Sequence, residues 1–213
     1  MKCCHYDYNN DGNCHIHRHP GIFRDPIREK AEKEAQVKKL IERLAAEGTI
    51  LWLDDMRTPL DKRINVVRSY VEFVAYLEAH KGKPTFPKLI CFDHDLAPEH
   101  YPKIDEDQFR IPYNTYTIKT GKECAEYVTT NDLPVEYFSV HSHSPQGRRN
   151  IEHILLRHFE MYNWLPGIVD FIPFVLTPIE GVTKYGFRAD NEDELQEIEE
   201  LMNEYNSDPA REF

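Results

Sequence analysis

No stretch of the chain is apolar for long enough to cross a membrane, and no signal segment is visible, because the first residues are polar and carry Cys and His. Positive charge is in deficit. Lys and Arg number 26 against 37 Asp and Glu, and the net charge of −11 argues against non-specific binding to duplex DNA, though it permits a local basic pocket. Internal repeats and low-complexity tracts are absent. Cysteine is scarce and odd in number: Cys3, Cys4, Cys14, Cys91 and Cys124. With Cys91 in an expected strand and Cys124 in an expected helix, this suits a reducing cytoplasm better than a disulfide framework. The expectation is a cytoplasmic globular protein with no membrane contact. At 213 residues it can bury one good core with an appendage. Nothing fixes an oligomeric state.

The chain is organised around KLICFDHDL, residues 88–96. Leu89, Ile90, Cys91 and Phe92 form an apolar run too short for a core helix, with Pro84 and Pro87 ahead of it. It reads as a strand buried on both faces of a mostly parallel sheet. It delivers Asp93, His94 and Asp95 in a row, and ionisable groups in such a place are costly to desolvate unless they bind something. In open α/β sheets the carboxyl ends of the strands are where ligands sit.

Two other strands end in the same way. Thr49 to Leu53 runs into Asp54–Asp55, and Tyr137 to Val140 runs into His141–Ser142–His143–Ser144–Pro145. Ile64 to Val67 is a further short strand, and Ile168 to Leu176 a last one, which Pro173 marks as an edge or a bulge. Helices are expected from Pro26 to Gly48, from Ser69 to Gly82, from Thr120 to about Thr129 and from Ser144 onward. Ser69 with Glu72, and Thr120 with Glu123, have capping-box spacing. Ser144 can cap its helix with Pro145 at the first position, and Gly147 in the first turn would let a ligand approach the backbone. Asp190 opens an acidic C-terminal helix with Leu195, Ile198, Leu201 and Met202 inward. Residues 97–118 form a long connection in which Tyr101, Tyr113 and Tyr116 either cover the sheet end as a lid or ride on a solvated insertion.

Residues 1–25 stand apart as a Cys/His-rich segment preceding a single domain over 26–213. Cys3, Cys4, His5, Cys14, His15 and His17 are zinc-type ligands, with His19 close by. Their spacing matches no known zinc module, so a structural Zn²⁺ and a loosely ordered tail both remain open.

If the three strand ends are neighbours, their carboxylates share one crevice. Asp54, Asp55 and Asp93 then call for a hard cation, and Mg²⁺ or Mn²⁺ with a few carboxylates and waters suits them. His94, His141 and His143 could exchange protons near neutral pH, the range in which imidazole acts, with Asp95 beside them. Arg57, Arg148 and Arg149 can hold a phosphate, helped by the helix start at Ser144 and Gly147. Each feature has a plainer reading. An Asp–Asp pair is often a turn, a single His is usually core, and an Arg pair is often a solvated helix face. Recurrence at three strand ends carries the argument.

LWLDDMRTP (51–59), RSYVEF (68–73), ICFDHDL (90–96), TGKECA (120–125) and VHSHSPQGRRNIE (140–152) resemble the cyclic-phosphate-processing receiver-like domain, a divergent relative of response-regulator receivers, over about 49–162. The resemblance implies a flavodoxin-like, doubly wound parallel sheet of order 2-1-3-4-5. It also implies an acidic metal pocket from Asp54, Asp55 and Asp93, with Ser142 at the receiver's hydroxyl position. There are departures. Asp55 to Arg63 is too short for the helix a receiver has between its first two strands. Thr177 stands before Pro178 where a receiver has lysine, which argues against an ordinary phosphorelay. The family pattern has Asn where His143 or Ser144 stands. The expected function is a metal-dependent phosphoesterase acting on a cyclic or terminal nucleotide phosphate, such as an RNA 2′,3′-cyclic end. His94 and His141 would be acid and base, Ser142 would orient an oxygen, and Arg57 would neutralise the phosphate. The alternative is a non-catalytic module that binds a phosphate or nucleotide.

Overall fold

The computed structural model describes residues 26–101 and 116–207. The expected zinc ligands Cys3, Cys4, His5, Cys14, His15 and His17, and the lid residue Tyr113, lie outside these. By its internal contacts the chain divides between Gln36 and Val37, and the description below concerns Val37 onward.

The elements are α1 (Pro26–Ala46), β1 (Ile50–Leu53), β2 (Arg57–Pro59), β3 (Asn65–Val67), α2 (Tyr70–His80), β4 (Leu89–Phe92), α3 (Gly121–Thr130), β5 (Tyr137–Val140), α4 (Pro145–Leu156), β6 (Phe174–Leu176) and α5 (Glu192–Ser207). β3, β1, β4 and β5 form one parallel four-stranded sheet in that order. This is the α/β arrangement that the strand pattern predicted, with β4 interior. Alternation along the strands divides the core in two. Leu51, Leu53, Ile90, Phe92 and Phe138 face α2, α3 and α4, whereas Ile50, Trp52, Leu89 and Cys91 face the end of α1 and the turn at Ile168–Phe171. Cys91 and Cys124 are buried free thiols.

The fifth strand is where the expectation of a 2-1-3-4-5 sheet needs correcting. Ile168–Phe171 is a short 3₁₀ turn that packs on the second core face. Only Phe174–Leu176 is extended, and it pairs antiparallel with β2 in a separate two-stranded ribbon, Arg57 opposite Leu176 and Pro59 opposite Phe174. Pro173, just before β6, has no N–H to give a ladder, and its carbonyl accepts from Leu60 N–H at 2.8 Å. The ribbon occupies the connection that was too short for a receiver's first helix.

The helix starts follow the sequence closely. Thr120 and Glu123 form a complete capping box. Ser69 caps α2, but Glu72 reaches one residue further back, to Arg68 N–H at 2.7 Å. At α5 it is Asn191, not Asp190, whose side chain accepts from Glu194 N–H at 2.9 Å. Leu201 of that helix is 55% exposed rather than inward. No helix among the described residues is long and apolar enough to cross a membrane.

A candidate acidic cleft at the strand ends

Parallel pairing puts the last residues of β1, β4 and β5 side by side: Leu53 opposite Phe92, and Phe92 opposite Val140. Asp54–Asp55, Asp93–His94–Asp95 and His141–Ser142 therefore leave the sheet together, and all seven are buried. Asp54, Asp55 and Asp93 each offer a carboxylate oxygen within 4.8 Å of the other two.

The three carboxylates are not equivalent. Asp54 is saturated: Oδ1 accepts from Met56 N–H and Arg57 N–H at 2.8 and 2.5 Å, and Oδ2 from Arg57 Nε and His141 Nε2 at 2.6 and 2.9 Å. Burial would raise its pKa, but the His141 hydrogen bond and the Arg57 charge hold it below the usual carboxylate range. Asp93 accepts from His94 N–H at 2.8 Å and from Arg57 Nη2 at 2.9 Å. Burial pushes it well above the usual range, with Arg57 opposing and Asp54, Asp95 and Asp55 adding. Asp55 accepts from the Tyr101 hydroxyl at 2.8 Å through Oδ1, while its Oδ2 is buried with no partner. Burial pushes Asp55 up to about 7, against the Tyr101 bond and with Asp54 and Asp95 adding.

This arrangement tests the expected cation. A buried, orphaned carboxylate oxygen beside a second carboxylate of raised pKa lacks a positive partner. Asp55 and Asp93 fit a hard divalent cation, which Mg²⁺ commonly takes through one or two carboxylates plus water or phosphate oxygens. Asp54 fits less well as a ligand, because two N–H donors occupy each of its oxygens, whereas each Asp93 oxygen accepts one. It organises the site by fixing Arg57.

Arg57 stands at the centre. Its Nε, Nη2 and Nη1 reach Asp54, Asp93 and the His141 carbonyl, the last at 2.9 Å. Three of the five guanidinium N–H groups are thus engaged, leaving two for a ligand oxygen. Burial works against its charge, but Asp93 and Asp54 more than offset this and raise its pKa. Arg68 braces the loop beneath, donating to the carbonyls of Asp54 and Arg57 at 2.6 and 2.9 Å and to the Thr58 hydroxyl.

The two histidines expected as acid and base have different surroundings. His141 is 4% exposed, stacks on Trp52 at 4.4 Å, and gives Nε2–H to Asp54, leaving Nδ1 without a partner. Burial pushes its pKa down to about 4, so the ring is neutral near pH 7 and serves to hold Asp54. His94 directs Nδ1 to Asp95 Oδ1 at 2.8 Å and lines a separate 270 Å³ cavity at the start of α3. The adjacent acidic cleft measures 590 Å³. Among the described residues its lining includes Arg57, Asp93, Asp95, Tyr101, His143 and Ser144, whereas Asp54, Asp55, His94 and His141 do not line it. His143 does. Its pKa is lowered by partial burial first and Arg57 next.

Other expected contacts are also resolved. Ser142 Oγ accepts from Ser144 N–H at 3.1 Å, and Ser144 Oγ caps α4 through Gly147 N–H at 3.1 Å. Gly147 is glycine for another reason than ligand approach: a Cβ there would lie 2.3 Å from His94 Cγ. Its N–H is already used by the cap, so it is withdrawn from the phosphate set. Arg148 donates Nη2 to the Val140 carbonyl at 3.1 Å. Thr177, at the place of the absent lysine, meets the Thr58 hydroxyl at 2.8 Å in the ribbon.

Sequence reasoning missed several residues. His100 is fully buried and ties the long connection together, accepting Leu96 N–H at 2.9 Å and meeting the Ile118 carbonyl at 3.0 Å. Tyr101, expected either as cover or as part of a solvated insertion, is the hydrogen-bond partner of Asp55. A second part of the cleft lining comes from the C-terminal segment, which carried no recognised motif; its one signal was KYGF (184–187), aromatics around a glycine outside any helix.

The family model described as the cyclic-phosphate processing receiver domain matches residues 49–157. No curated protein and no solved structure matches the chain.

Proposed function

Since the chain belongs to the cyclic-phosphate processing receiver family, we propose that it is a metal-dependent phosphoesterase acting on a cyclic or terminal nucleotide phosphate, an RNA 2′,3′-cyclic end or a cyclic nucleotide. The observation that carries this reading is the orphaned Oδ2 of Asp55, whose carboxylate groups with that of Asp93, while Asp93 in turn lines a cleft with Arg57 and His143. Asp55 and Asp93 would hold Mg²⁺ or Mn²⁺, which when bound would screen the charge of the phosphoryl oxygens. Arg57 offers its two remaining N–H groups to the same oxygens, and Arg148 lies one helical turn beyond the cap. His143, neutral near pH 7, is placed to take or give a proton, and Asp95 lines the cleft with it. His141 acts as a positioning residue through Asp54.

One observation favours the second reading, a module that binds such a phosphate without turnover. Hydrolysis needs both a base and an acid, and two of the three imidazoles at the strand ends are buried and do not line the cleft. Incubation with a panel of 2′,3′- and 3′,5′-cyclic nucleotides and cyclic-phosphate RNA ends, with Mg²⁺, Mn²⁺ or chelator, separates the two. Cation-dependent ring opening that falls roughly 10²–10⁴-fold in His143→Ala supports the enzyme. Tight, cation-dependent binding with no product supports the module.

A further inference from the structure

The 590 Å³ cleft has two halves of unlike chemistry. One part of the lining, the charged floor, comes from the family-matched region. A second part of the lining, here called the wall, comes from beyond residue 157 and includes Phe174, Tyr185, Phe187 and Met202, with Lys184 among them. This wall is a built feature. The backbone from Thr183 to Phe187 folds into a tight turn: Gly186 N–H donates to the Thr183 carbonyl at 2.9 Å, and Thr183 N–H to the Phe187 carbonyl at 2.8 Å. Thr183 is fully buried, and its hydroxyl accepts Phe187 N–H at 3.1 Å. Gly186 takes φ +78°, a conformation that favours glycine. α5 locks the turn, since the Tyr185 hydroxyl and Lys184 Nζ both bond Asn203, the latter at 3.1 Å. Wall and floor are continuous. The Tyr101 ring, whose hydroxyl binds Asp55, lies 3.5 Å from where a Gly186 Cβ would stand.

A bare phosphate or metal site has no use for an aromatic wall. A cleft of this volume suits a small organic ligand with one charged end and one flat apolar end. We propose that the C-terminal wall is a base-recognition half-site: a nucleobase seats on Tyr185 and Phe187 while the phosphate of the same molecule meets Arg57 and the acidic floor. Lys184, 5.0 Å from the Tyr185 ring centroid, adds a cation at the wall. The substrate class is therefore a nucleoside phosphate, not a cyclic phosphate of any alcohol. This inference rests on the phosphate-binding reading above.

Calorimetric titration in Mg²⁺ with adenosine 2′,3′-cyclic phosphate and with glycerol 1,2-cyclic phosphate tests it on the full chain. The nucleotide should bind wild type roughly 10–100-fold more tightly, the range that aromatic stacking of one base supplies. Tyr185→Ala should erase most of that preference and leave the glycerol ester unchanged, whereas Tyr185→Phe should keep it. Circular dichroism and melting check that the variants fold. Equal binding of both ligands to wild type, or a preference that survives in the Tyr185→Ala/Phe187→Ala double variant, would overturn the half-site and leave the phosphate reading standing. Binding of neither ligand would remove both.

Discussion

Asp55 is held in a protonation balance opposite to that of its neighbour Asp54. Its pKa rises from 3.8 to about 7 on folding, so between those values the folded state binds more protons than the unfolded one. Stability from this group is present at low pH and is lost as pH rises towards about 7. His141 works the other way. With its pKa lowered from 6.5 to about 4, the unfolded chain binds more protons in that window, and stability falls as pH drops through it. The two effects oppose each other in wild type, so the variant isolates one. Asp55→Asn should stabilise the cation-free protein at pH 8 by a few kcal/mol, at ~1.4 kcal/mol for each pH unit of linkage, and the gain should vanish near pH 4. Urea melts at a series of pH values measure it, and a gain independent of pH would count against the assignment. The identity of this group was legible, because Asp54–Asp55 stands at a strand end. The division of labour was not. It depends on the four N–H donors at Asp54 and on a tyrosine 46 residues along the chain.

Close approach of elements, more than their existence, shapes the cleft. Gly121 opens α3 with its N–H on the His94 carbonyl at 2.8 Å, and a Cβ there would fall 1.8 Å from the Asp93 carbonyl oxygen. Gly121→Ala must therefore push α3 away from the end of β4. We expect a loss of about 3 kcal/mol, the upper range for overpacking, together with weakened cation binding because Asp93 moves. A thermal melt matching wild type would show that the helix start adjusts freely. Most elements could be read from pattern: β5 lies at Tyr137–Val140 as expected, and the proline, serine and threonine helix starts hold. The run Ile168 to Leu176 misled because a short apolar stretch does not distinguish a strand from a packed turn. Gly167, at φ +73°, turns the chain before it, and Pro173 divides it. Its two halves meet different partners, which no local pattern reports.

At the scale of the whole molecule, a receiver-like sheet is joined by a C-terminal segment that shares in lining the cleft at the carboxyl ends of its strands. That role was hidden in the sequence because Phe174, Tyr185, Phe187 and Met202 sit on three separate pieces of chain and share no period. The net charge of −11 makes the local placement of Arg57 and Lys184 matter more for binding an anion. Everything proposed for the cleft depends on a divalent cation held by Asp55 and Asp93. The direct measurement is calorimetric titration of Mn²⁺ into the chelator-treated protein, without nucleotide, for wild type, Asp55→Asn and Asp93→Asn. We predict one ion bound per chain in wild type and at least a tenfold weaker site in each variant, while both variants keep the wild-type circular dichroism spectrum. Absence of Mn²⁺ binding to wild type, or unchanged affinity in Asp93→Asn, would contradict the account.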